Sequence, residues 1–134
     1  MDRDLWCHEI VLAADAASAR RARSFVTRQL VDHRLAYLVD EVRLVASELA
    51  TNAVVHAATE FTVVLEGEAT SVLLTVRDGS TGSLPRLNIA PATAASGRGL
   101  HIVDVVSQDW GVGDLEGAPT SVWARFGRRA APAT

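Results

Sequence analysis

Leu38, Val42, Val45 and Leu49 are spaced i, i+4, i+7 and i+11. Only an α-helix gathers that spacing onto one face, so this stretch must bury a stripe against a core. The pattern predicts a helix from about Leu35 to about Ala57. Its next two steps fall on Asn52 and His56. A polar group entering a core stripe must be compensated there. The helix therefore builds the core and also carries polar side chains to its rim. For His56 the plainer expectation is a satisfied histidine at the core edge.

The remaining elements follow from shorter patterns. Residues 8–13 read as a strand through Ile10, Val11 and Leu12. Asp15 or Ser18 is placed to cap a helix running through Leu30, with Ala22, Phe25, Val26 and Leu30 as its buried stripe. Arg20, Arg21, Arg23 and Arg28 decorate that helix and are expected to form a solvated face. Phe61, Val63 and Leu65 alternate with Thr62, Val64 and Glu66. Val72, Leu74 and Val76 then alternate with Leu73, Thr75 and Arg77, after a turn over Gly67–Thr70. Residues 78–98 are rich in Gly, Ser, Pro, Ala and Thr, a composition and length expected of a lid loop or a disordered segment. Leu100–Val106 reads as a short helix. Val112 and Ser121–Phe126 supply later strands, and residues 128–134 are expected to form a loose tail. Helices segregated against a mixed, mostly antiparallel sheet make an α/β two-layer sandwich with the helices on one face.

Composition narrows the function. The 134 residues suit one domain, 1–134. The net charge is −3, and all thirteen basic residues are Arg. That balance argues against a nucleic-acid partner, which calls for a basic excess to neutralise phosphates. Cys7 is the one cysteine, so an internal disulfide is impossible and a cysteine-rich zinc site is missing. Cys7 is expected to be half-buried and inert. No signal peptide is visible, and no run approaches the ~20 apolar residues of a membrane helix. A cytoplasmic protein without a membrane partner is expected.

Three clusters carry chemistry. In the first, Glu48 and Asn52 stand one helical turn apart beside the apolar stripe. An Asn carbonyl oxygen suits a hard cation such as Mg²⁺, and a carboxylate can take a proton from an attacking hydroxyl. A surface Glu beside a hydrogen-bonded Asn has the same sequence. In the second, Asp78-Gly79-Ser80-Thr81-Gly82 follows a strand. There an Asp can accept from an exocyclic amine while small residues admit a ligand; an ordinary turn also fits. In the third, Ser96-Gly97-Arg98-Gly99-Leu100 opens the short helix, where free N–H groups favour phosphate. It is not a dinucleotide fingerprint, because the third Gly and the surrounding βαβ unit are absent.

The order and spacing of these clusters resemble the Bergerat-fold (GHKL) ATP-binding domain. Within that family, Glu48–Ala57 looks like the N box of the anti-sigma-factor serine kinases. The segment from Gly97 to Asp104, closing in Trp110-Gly111-Val112, looks like their second glycine box, and Val122-Trp123-Ala124 like their closing strand. Ser80 stands where the family's Asp-x-Gly-x-Gly pattern has its first Gly. The resemblance implies that Asn52 holds Mg²⁺ against the ATP phosphates and that Asp78 binds the adenine amino group. Gly82 would line the adenine pocket, and Gly97, Arg98, Gly99 and Leu100 would flank the phosphates. A hydroxyl of Thr120 or Ser121 would reach the adenine side. Glu48 would be the general base.

What this implies is an ATP- and Mg²⁺-dependent protein serine/threonine kinase. It would sequester a sigma factor as an anti-sigma factor and phosphorylate an anti-sigma-factor antagonist. Such relatives are commonly dimers. At this length the chain has no room for a phosphoacceptor-histidine helical pair, so its effect is expected in trans. The rival readings are a non-catalytic nucleotide-binding interaction module, an ATPase that only hydrolyses, and a structural domain without nucleotide. His101 is expected to pack rather than face the nucleotide. His8 and His33 carry no functional signal.

Overall fold

The structure, a computed structural model, describes residues 5–57, 59–78, 101–113 and 121–128. Strand β1 (Trp6–Leu12) leads into helix α1 (Ser18–Asp32). A 3-10 turn (Ala36–Leu38) opens helix α2 (Val39–Asn52), which passes into a π-helical turn (Ala53–Ala57). Strands β2 (Phe61–Gly67) and β3 (Ser71–Asp78) follow. Helical residues 101–106, here α3, precede β4 (Asp109–Val112) and β5 (Ser121–Gly127).

The long helix expected over residues 35–57 thus has three geometries in succession. Its apolar stripe is buried as the spacing requires. Leu38, Val42, Val45 and Leu49 are all at most 3% exposed, and Asn52 continues the stripe at 7%. Asp40 and Glu41 lie in the first turn of α2, where the helix dipole favours negative charge.

Helix α1 extends two residues past the expected end at Leu30. Its N-cap position is Ala17, so neither Asp15 nor Ser18 caps it directly. Asp15 Oδ1 instead accepts the Ala17 N–H at 2.9 Å, one residue ahead of the helix. The Ser18 hydroxyl turns back to donate to the Ala13 carbonyl. Ala22, Val26 and Leu30 are fully buried, while Phe25 packs at the core margin.

The sheet order is β1-β2-β3-β5-β4. All four pairings among the described strands are antiparallel, in keeping with the mostly antiparallel sheet expected from the sequence. The alternation of each strand then sets one continuous inner face. Ile10 opposes Val63, Val63 opposes Val76, and Val76 opposes Val122. Phe61, Leu65, Val72, Leu74, Ala124 and Phe126 complete it, all almost fully buried. Helices α1 and α2 pack on each other and on this face, α1 over β1 and β2, α2 over β3 and β5. Ala22, Ala46 and Ala50 are wholly buried and keep the two helices close to each other and to the sheet. Burying a Val or Leu side chain is worth about 1.5–3 kcal/mol, so the helix–helix and helix–sheet contacts of this core together carry much of the stabilisation. Among the described residues no helix is long and apolar enough to cross a membrane.

The outer face is mixed. Arg125 pairs with Glu68 at 3.1 Å and Asp109 at 3.2 Å, and its guanidinium lies 5.3 Å from the Trp123 ring centroid. The Glu68 carboxyl is held below the usual carboxylate range by a hydrogen bond from Ser71, against the effect of burial, with Arg125 adding to the shift. Cys7 also lies on this face. It is exposed rather than half-buried as the sequence suggested, because period-2 alternation turns it away from the helices. Its thiol is pushed up by partial burial and by the charges of Glu66 and Glu9, so it stays protonated. Arg20, Arg21 and Arg28 are exposed, as expected of a solvated helix face. Arg23 differs, since it is half-buried and donates to Ser47 Oγ on α2 at 3.0 Å. Arg128 is not loose tail: its N–H bonds the Thr70 carbonyl and its side chain the Glu68 carbonyl.

Gly67 lies opposite Trp6 in the β1–β2 ladder, and a Cβ there would stand 2.2 Å from Trp6 Nε1. The indole therefore occupies the space of a side chain. The substitution Gly67→Ala should displace Trp6 and destabilise the fold by about 1–3 kcal/mol, an overpacking cost. Urea unfolding of the two proteins checks this; equal midpoints would show that the indole moves aside freely.

Candidate ATP site

The site is built where the core stripe of α2 runs out. Glu48 and Asn52 sit at its C-terminal end, one turn apart on the same side. Asn52 is 7% exposed and Glu48 half-buried, so both sit at the core margin, the amide deeper than the carboxylate. Buried amides are normally satisfied, and the Asn52 amide is not among the buried side-chain groups left without a partner.

The π-helical turn follows at once. Inserted π turns are frequent at functional sites, because they re-aim side chains without ending the helix. His56 lies in this turn, its side chain outside the described part of the structure. The turn and α2 both pack on β3. Three residues after the turn β2 begins at Phe61, which lies opposite Asp78. Chain connectivity thus brings the last residue of β3 to the same end of the helix–sheet layer as Asn52. Asp78 alternates with Val76 and Leu74, which places it on the helix-covered face at the sheet's end, partly exposed. A carboxylate there can accept from an amine while the strand holds it still.

Sequence reasoning did not single out Thr59. Its Oγ1 is buried without a hydrogen-bond partner among the described residues. It lies on the short connection between the π-helical turn and Phe61, beside the Asp78 end of β3. Burial of that hydroxyl has no sequence signal.

Gly82, Gly97, Arg98, Gly99, Leu100 and Thr120 lie outside the described residues, as does the expected lid. Helix α3, which directly follows Leu100, is described from residue 101. It is anchored by the fully buried Val103 and by a 3.0 Å hydrogen bond from Trp110 Nε1 to Asp104 Oδ1. His101 is exposed, not packed, because Val103 is the residue of this short helix that turns inward. Ser121 is buried and its hydroxyl donates to the Gly113 carbonyl at 3.3 Å. That bond engages the Ser121 half of the Thr120-Ser121 pair in holding β5 to the end of β4.

The donor set also bears on a metal. Among the described residues, no group of three or more His, Cys, Asp or Glu side chains could hold an ion. Mg²⁺ usually takes one or two protein oxygens and completes its shell with phosphates and water. A single amide oxygen at Asn52, at the core margin, fits that mode and not an all-protein cage.

The family model of the histidine kinase-like ATPase domain matches residues 12–126, from the end of β1 to the end of β5. The chain belongs to this family. Comparison with characterised proteins gives no match. The histidine kinase-like ATPase domain binds ATP, and the match spans every cluster described above. Its helix-on-sheet sandwich packs α2 against β3, with Asn52 at the end of the one and Asp78 at the end of the other. With Asp78 in the adenine-binding role expected from the sequence, the substitution Asp78→Ala would remove a charge-assisted hydrogen bond worth about 1.5–3 kcal/mol. ATP affinity should fall roughly ten- to a hundred-fold by calorimetric titration, with the far-ultraviolet circular dichroism unchanged.

Proposed function

We propose that this ATPase domain is an Mg²⁺-dependent protein serine/threonine kinase that also acts as an anti-sigma factor. In this reading it sequesters a sigma factor and phosphorylates an anti-sigma-factor antagonist, in the cytoplasm. The observation that carries the kinase step is the Glu48–Asn52 pair. One side chain is buried at the nucleotide end of α2, and the other is half-exposed one turn away, where an incoming hydroxyl has access.

Phosphoryl transfer needs positioning and charge neutralisation more than covalent chemistry from the protein. Asp78 fixes the adenine, and the Asn52 carbonyl oxygen would hold Mg²⁺ near the phosphates. Bound there, Mg²⁺ would neutralise phosphate charge. Glu48 takes the proton as the serine oxygen attacks the γ-phosphorus. The bond to the bridging oxygen breaks, and ADP leaves with that electron pair. Gly97, Arg98, Gly99 and Leu100 flank the phosphates, while Gly82 and Thr120 lie on the adenine side. The anti-sigma role rests on the resemblance of Glu48–Ala57 and Gly97–Asp104 to that group of kinases. A homodimer belongs to the same reading.

The substitution Glu48→Ala should leave the calorimetric affinity for Mg²⁺-ATP within about threefold of wild type, since the carboxylate makes no nucleotide contact in this reading. Transfer of γ-labelled phosphate to a candidate antagonist should fall at least about a hundredfold, the usual worth of a general base. Binding lost while transfer per bound ATP persists would reverse the role given to Glu48. Binding without transfer in the wild type would favour the non-catalytic nucleotide module.

A further inference from the structure

His8 and His33 are 25 residues apart, yet their Nε2 atoms lie 3.0 Å from each other. His8 is on edge strand β1, facing the helices between Trp6 and Ile10. His33 is the C-cap of α1. The ring centroids are 5.2 Å apart. With the nitrogens at 3.0 Å, that separation sets the rings nearly end to end. The lone pair of one Nε2 therefore points at the other nitrogen, the geometry of a hydrogen bond. Two imidazoles sharing one cation at right angles would bring their centroids closer. Trp6 stacks on His33 at 3.9 Å, with 5° between the planes, so the pair is clamped from one side.

Such a bond needs one ring to donate and the other to accept. The neutral pair satisfies this, and so does a pair carrying one extra proton on the far nitrogen of the donor. A second proton must go to the accepting Nε2, and then both nitrogens are donors. We propose that His8 and His33 form a proton-dependent latch between the edge strand β1 and the end of α1, closed with at most one added proton and opened by the second.

The surroundings favour this. Arg128, from beyond β5, raises the cost of charging His33, and Asp32 at the end of α1 opposes it. Arg28 lines the same groove as His8 and Asp32, and makes only a long 4.0 Å contact to Asp32. From β2 the facing residues are Leu65 and Gly67, which carry no charge. Burial, with His8 and Arg128 adding, holds the His33 imidazole below the ordinary histidine value. A lowered folded value means that the unfolded chain binds more protons as pH falls below the ordinary value of about 6.5. Latch stability is thus full above that pH and is lost on acidification.

The test is a ring-nitrogen NMR titration of the full chain, with amide hydrogen exchange of β1 read over the same pH range. Above neutrality one ring should be the Nδ1–H tautomer and the other Nε2–H, and the pair should titrate in two coupled steps. Intrinsic-rate-corrected protection of the β1 amides should hold through the first step. Below about pH 6.5 it should then fall by up to about tenfold per pH unit, the slope of one linked proton, and level off past the second step. His33→Phe keeps a ring on Trp6 but cannot titrate, and should remove that acid-dependent loss. Independent single-step titrations with unchanged β1 protection in the wild type would overturn the latch. So would the same acid-dependent loss in His33→Phe, or a shift of both rings by Zn²⁺ at neutral pH, which would make the pair a metal site.

Discussion

Everything else in this fold depends on the contact between the apolar stripe of α2 and the inner face of the sheet. Val42, Val45 and Leu49 have no exposed surface beyond 2%, and the facing Val72, Leu74 and Ala124 have none. An antiparallel sheet with one bare face is not stable in water, and an amphipathic helix of 14 residues is marginal alone. Each supplies the surface the other needs. Small residues at Ala46, Ala50 and Ala22 let α1 join the same core without a gap. The hydrogen-bonded ladder fixes which residues face inward, and the hydrophobic contact gives that arrangement its stability.

The proposed nucleotide site is a consequence of ending that contact with polar groups. The stripe that places Leu49 in the core places Asn52 at its margin one turn later, at modest exposure. The π-helical turn then carries the chain to β2, whose first residue fixes the position of Asp78 on β3. The rigid elements that make the core are the same ones that hold the two polar side chains. No separate scaffold is needed to set their separation, and catalysis by positioning requires that kind of rigidity.

The far side of the helical layer shows the opposite design. Where α1 ends, it meets the edge strand through aromatic and imidazole rings instead of aliphatic packing. Trp6 fills the space above Gly67, His33 stacks on it, and His8 closes the contact by a hydrogen bond. Such a joint is directional and dependent on protons, whereas the α2–sheet contact is neither. The layer therefore has one insensitive margin at the nucleotide and one sensitive margin at the edge strand.

Period and spacing alone determined much of this protein. The 3.6-residue stripe of α2, the two-residue alternation of β2 and β3, and the turn at Gly67 were legible because each is local and repeated many times. Glu48, Asn52 and Asp78 were legible as candidates because polar residues interrupt or close those patterns. The tertiary structure alone decided what depends on contacts between distant segments. It set the strand order and register, turned Cys7 outward and His101 into solvent, and tied Arg128 to the β2–β3 turn. It also buried the Thr59 hydroxyl and joined His8 to His33 across 25 residues. The physical reason is that periodicity reports which face a residue takes, while a partner is chosen only when two faces meet.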